Sequence, residues 1–74
     1  MTDSNATELI TQHVITKGGE FYSRNLGLQD DFNAGMYIAK ITNIPPYNIV
    51  EVDEDTWVNF DSVLKLWFTK TEVH

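Results

Sequence analysis

Residues 5–19 read Asn5-Ala6-Thr7-Glu8-Leu9-Ile10-Thr11-Gln12-His13-Val14-Ile15-Thr16-Lys17-Gly18-Gly19, and the period assigned to this stretch decides the fold. Asn5 is a good helix N-cap, and Glu8, three residues on, can reach back to it as in a capping box. Ala6, Leu9, Ile10 and Val14 recur at helical spacing and mark one apolar face. Gly18-Gly19 then supplies the left-handed residue with which helices commonly end. The stretch is expected to form a first helix.

Working outward, Glu20-Phe21-Tyr22 is a short extended piece, and Ser23 can cap a brief helix carrying Leu26 and Leu28 that Gly27 keeps short. Asp30-Asp31 punctuates the chain again, an aspartate capping a longer helix over 30–43 with Phe32, Gly35, Met36 and Ala39 on one side. Pro45-Pro46 ends it, because a residue before proline is pushed out of helical conformation. Tyr47–Val52 and Thr56–Phe60 are then rich in β-formers and flank the polar turn Asp53-Glu54-Asp55, which predicts a hairpin. The turn lacks Asn-Gly or Asp-Gly, so a longer loop than a two-residue turn is expected. Asn59 or Asp61 can cap a last helix with Phe60, Val63, Leu64 and Trp67 on one face and Phe68 at its edge. The chain is expected to be one domain, 1–74, with 1–4 and 70–74 frayed.

The chain has 74 residues, 42% of them hydrophobic, nine aromatic and none cysteine. That is near the lower limit for a single core, and neither a disulfide nor a thiolate metal site can reinforce it. The polar, acidic start carries no signal-peptide pattern, and no apolar run approaches the ~20 residues that span a bilayer. A cytoplasmic protein without membrane contact is expected. Asn5-Ala6-Thr7 spells a glycosylation sequon that has no use without secretion. Eleven acidic residues against five basic give a net charge of −6, which favours solubility, repels nucleic acid and attracts basic surfaces.

Gly18-Gly19-Glu20-Phe21-Tyr22-Ser23, followed by Leu26-Gly27-Leu28, resembles the part of winged helix-turn-helix domains where a first helix ends, a strand passes and the helix-turn-helix begins. Tyr47 to Phe60 looks like the wing. The resemblance spans Gly18 to Phe68 and implies an α+β fold: a small winged-helix-like domain of three helices, a two-stranded β-hairpin wing and a C-terminal helix. It also implies that 30–43 is a recognition helix, with Asn33, Tyr37 and Lys40 turned to bases and Arg24 to a phosphate. The charge opposes this. Asp30 and Asp31 stand where the helix would enter the groove, Glu51, Asp53, Glu54 and Asp55 crowd the wing, and the five basic residues form no cluster, whereas DNA affinity comes largely from lysine and arginine on phosphates.

Catalytic and metal chemistry find no pattern here. His13 and His74 are isolated, His13 being a half-buried residue of the first helix, and no zinc motif or phosphate loop is present. Ser4, Ser23 and Ser62 lack a nucleophile-elbow context. Asp53-Glu54-Asp55 lacks the spaced ligands and glycine of a calcium loop. No enzyme, metal or cofactor is expected.

The functional expectation is a small acidic, non-enzymatic regulator or inhibitor. It would bind a basic protein surface, such as one on nucleic-acid-handling machinery, through Asp30, Asp31, Glu51, Asp53, Glu54 and Asp55. Tyr37, Tyr47 and Trp57, together with Tyr22, are the candidate aromatic anchors. In size and charge it is similar to small proteins of phages and mobile elements that disable host transcription or nuclease machinery. The alternatives are a winged-helix DNA-binding regulator of transcription or recombination using Arg24, Asn33, Tyr37 and Lys40, and a small subunit of a larger assembly joined through a helix at 60–70. A homodimer is compatible with each.

Overall fold

Six of the ten residues from Thr7 to Thr16 are β-branched, and such side chains favour extended backbone over helix. In the structure, a computed structural model that describes residues 7–73, this segment is strand β1 (Thr7–Thr16). It is followed by β2 (Phe21–Gln29), helix α1 (Ala34–Asn43), β3 (Ile49–Asp53), β4 (Thr56–Asn59), a single 3-10 turn (Phe60–Ser62) and β5 (Val63–Val73). β1 is the middle strand of an antiparallel sheet ordered β2-β1-β5, while β3 and β4 form a separate hairpin.

Alternation along β1 separates two faces. Ile10, Gln12, Val14 and Thr16 are buried, and the residues between them are half-buried. Val50 and Val52 of β3 join Val14 in the core, with Tyr22, Ile41, Val58, Phe60, Val63 and Leu66 packed around them. Fully buried hydrophobic side chains are few among the described residues: Ile10, Val14, Val50 and Val52. At roughly 1.5–3 kcal/mol each they make a thin core, and none of the residues of α1 is fully buried.

The expected layout is overturned. One α-helix stands among the described residues where three and a C-terminal helix were expected, so no helix-turn-helix exists and α1 is not a recognition helix. The first helix is β1 and the brief Ser23–Leu28 helix lies within β2. The C-terminal helix is β5, preceded by one 3-10 turn that Asn59 caps by accepting from the Asp61 amide at 2.9 Å. Leu9, Ile10 and Val14 fit a helical stripe, yet they equally populate both faces of a strand one of whose two partners, β5, lies far along the chain. His13 faces Trp67 and Gln12 faces Phe68 across β1 and β5. Residues 70–73, expected to fray, continue β5.

The hairpin does form, but Val50 and Val52 press it onto β1 rather than projecting it as a wing. α1 begins later than expected: Asn33 is its cap, accepting from the Met36 amide at 3.0 Å, and Asp30 and Asp31 precede it as exposed turn residues. The Asn5 cap, residues 1–4 and His74 lie outside the described residues. No helix among the described residues is long and apolar enough to cross a membrane.

Gly18 and Gly19 sit in the tight turn from β1 to β2, not at a helix end. The Gly19 amide donates to the Thr16 carbonyl (2.9 Å) and the Thr16 amide to the Glu20 carbonyl (2.9 Å). Gly19 has φ +90°, which side-chain-bearing residues seldom adopt, while a Cβ on Gly18 would meet only ordinary contact. Gly19→Ala is therefore expected to lower stability by about 1–2 kcal/mol, and Gly18→Ala by much less. Urea unfolding of the two variants measures the difference, and equal losses would show that the turn does not hold this geometry.

Candidate functional site

The site is built from the inside of the sheet outward. Gln12 projects from the middle of β1 and is 1% exposed. A buried amide costs free energy unless both its ends are bonded, and here both are. Its Nε2 donates to the Glu51 carbonyl at 2.8 Å, and its Oε1 accepts from the Tyr37 hydroxyl at 3.1 Å. One side chain thereby ties β1 to β3 and to α1. The Glu51 carboxylate continues the network to Arg24 Nη1 of β2 at 3.4 Å. That pair is about one-third exposed on each side, so solvent limits its contribution to at most about 1 kcal/mol.

An aromatic cluster roofs the network. The rings of Phe32, Tyr37 and Phe68 lie 5.1–5.9 Å apart in tilted and edge-on arrangements that suit the ring quadrupoles. Burial pushes the Tyr37 phenol above its ordinary value of 10.0, the Arg24 guanidinium lowers it and the Glu51 carboxylate raises it, with a net upward shift.

The hairpin leaves this anchor at a defined angle. Asn48, at φ +60°, donates its amide to the Ile41 carbonyl (3.0 Å) and accepts from the Phe60 amide (2.7 Å), clamping the hairpin base to the end of α1. At the tip, Asp53 Oδ1 accepts from the Glu54 amide at 2.8 Å and shapes the turn. Asp53, Glu54 and Asp55 are all exposed. Val50 faces Val58 on the inner side, while Glu51 faces Trp57 on the outer side. Trp57 is 60% exposed and borders a recess of about 450 Å³ that also takes in Lys17, Glu20, Asn59 and Asp61.

The expected site residues fall into two groups. Glu51, Asp53, Glu54, Asp55 and Trp57 share the hairpin, and exposed Tyr47 leads into it. Asp30, Asp31, Asn33, Tyr37 and Lys40 instead line a groove of about 480 Å³ between the end of β2 and α1. Tyr37 spends its hydroxyl on Gln12, Asn33 spends its side chain on the α1 cap, and Arg24 is paired with Glu51. Tyr22 is half-buried against the core. His13 lies on the other face of the sheet, stacked on Trp67 at 5.1 Å, with its ring nitrogens bonded to Ser23 and Thr69 hydroxyls at 2.9 Å.

Sequence reasoning missed Gln12 altogether. The signal was its place in the alternation Ile10-Gln12-Val14, visible only once the segment is read with period two. No group of three or more potential metal ligands occurs among the described residues. No family model, curated protein or solved structure matches the chain.

Gln12→Leu leaves the Glu51 carbonyl and the Tyr37 hydroxyl without this partner, an expected loss of about 2–4 kcal/mol; Tyr37→Phe should cost about 1 kcal/mol. The double variant should fall short of the sum in urea unfolding, since both remove one shared bond. The phenol also sets a pH dependence. With the folded pKa above the unfolded one, its contribution is intact below pH 10.0 and is lost as pH rises from there through the folded value. Wild type should therefore lose more stability between pH 9 and 11 than Tyr37→Phe, and parallel curves would contradict the assignment.

Proposed function

We propose that the chain is a non-enzymatic binding module that docks onto a basic protein surface through the β3–β4 hairpin. The observation that carries this reading is Trp57, 60% exposed on the same hairpin as the exposed turn Asp53-Glu54-Asp55 and beside a recess whose lining includes Glu20 and Asp61 against one cation, Lys17. An indole face attracts a lysine or arginine cation, by up to about 2 kcal/mol when desolvated, and the surrounding carboxylates steer such a group toward it. The hairpin is held to β1 and β2 by the Gln12 and Arg24 contacts, so docking would order little that is not already ordered. A surface that normally holds nucleic acid has the required charge, and covering it would make the chain an inhibitor or regulator of that machinery.

The partner is to be captured from an extract of the source cells, purified, and titrated over a range of salt. Binding by wild type should weaken steeply with salt. Reversal of Asp53, Glu54 and Asp55 to lysine should lower affinity at least about tenfold and flatten the salt dependence, and Trp57→Ala should cost about 2 kcal/mol. A charge-reversed variant that keeps both affinity and salt dependence would end this reading.

A further inference from the structure

The β3–β4 hairpin has one covered edge and one open edge. In an antiparallel pair, residues alternate between those whose amide and carbonyl face the partner strand and those whose groups point away. The Phe60 amide donates to the Asn48 carbonyl at 2.7 Å, and the register sets Val58 against Val50 and Trp57 against Glu51. Val58 and Phe60 thus face β3, whereas the amides of Trp57 and Asn59 and the carbonyl of Trp57 point outward. The same alternation turns the Glu51 carbonyl away from β4, where it accepts from Gln12. On that side the hairpin is covered, and Glu51 also meets Arg24 of β2. β4 has β3 as its one strand neighbour, and among the described residues no bond outside the strand ladder reaches its three outward groups.

Resting on the docking reading above, we infer that the partner engages β4 by strand addition: an extended, basic segment of the partner protein pairs along this edge and adds a third strand to the hairpin. The residue opposite Trp57 then lies about 5.5 Å away between Cα atoms, with its side chain on the indole's face of the hairpin. A lysine or arginine at that place covers the ring. Toward the tip, the added strand runs beside Asp53-Glu54-Asp55. Toward the base it meets the recess that β4 shares with the β1–β2 turn, where Glu20 and Asp61 stand against Lys17.

Charge selects this edge for a basic occupant. β2 and β5, the outer strands of the three-stranded sheet, each carry a net charge of +1 and repel such a segment. β4 is itself uncharged, and in sequence it lies between Asp53-Glu54-Asp55 and Asp61. The carboxylates steer the segment in, and the outward backbone groups fix the extended conformation it must adopt.

Asn59 separates the backbone contribution from the charge. Its φ of −65° is the value that proline enforces, and Val58 before it is already extended. An edge strand tolerates proline where the amide faces outward. Asn59→Pro therefore removes the outward donor, and Asn59→Ala is its control, since both variants lose the side chain that accepts from the Asp61 amide. The probe is a synthetic peptide of about eight residues alternating lysine and threonine, titrated into the full chain up to ~1 mM. Binding should weaken with salt, and hydrogen exchange of the Trp57 and Asn59 amides should slow in the complex. Asn59→Pro should bind the peptide about two- to tenfold more weakly than Asn59→Ala. No binding, equal binding by the two variants, or Trp57 and Asn59 amides that exchange as in the free chain would each overturn strand addition. Docking by the hairpin is decided separately, by the charge reversal of Asp53, Glu54 and Asp55 against the captured partner.

Discussion

The hydrogen-bonded amide of Gln12 is the constraint on which the rest of the structure depends. β1 is the central strand, and its inward face carries two buried polar side chains: Thr16 at its end, whose hydroxyl serves the turn to β2 by accepting from the Glu20 amide, and Gln12 in its middle. A leucine there could pack against a helix or hairpin in several registers. The amide accepts fewer solutions, because its Nε2 must find a carbonyl and its Oε1 a donor or the burial becomes costly. Glu51 and Tyr37 supply them from β3 and α1. The four fully buried aliphatic side chains among the described residues are too few to select one arrangement through shape alone. The polar bond adds direction to a hydrophobic contact that has none.

How much of this is legible in the sequence differs between elements. The β3–β4 hairpin and α1 are local: turn residues, prolines and β-formers a few positions apart announce them, and both occur close to where the chain places them. β1 and β5 are not local. Their apolar residues satisfy a helical stripe and a two-sided strand equally well, and the choice is made by pairing between segments over fifty residues apart, as His13 with Trp67. The β-branched content of Thr7–Thr16 was the available clue. Asn5 and Glu8 formed a persuasive cap pattern, and Gly18-Gly19, read as a stop signal, serves a strand-to-strand turn instead.

The candidate site divides in the same way. Clustering of Glu51, Asp53, Glu54 and Asp55 was readable because they are adjacent in sequence. That Trp57 stands outward beside Glu51 while Val58 turns inward follows from hairpin register, and this too was within reach of a period-two reading. Commitment of Arg24, Asn33 and Tyr37 to internal bonds was not, since each depends on a partner supplied by folding. With Lys40, those three were the residues on which a DNA contact rested. Their engagement, together with the absence of a helix-turn-helix among the described residues, takes away the arrangement from which that contact was inferred.

The fold also separates two kinds of surface on one small chain. Carboxylates gather on the hairpin and its neighbouring recess, on the side of the sheet that carries α1. The opposite face around His13 has none directly paired with it: Ser23 and Trp67 flank His13, and Asn25 and Thr69 flank Thr11. β2 and β5, the two outer strands of the sheet, each carry a net charge of +1, whereas the hairpin strand β3 carries Glu51 and Asp53 and leads into the acidic turn. The negative charge of the chain is thus concentrated on the hairpin, where a basic partner would be steered, rather than on the strands at the sheet edges.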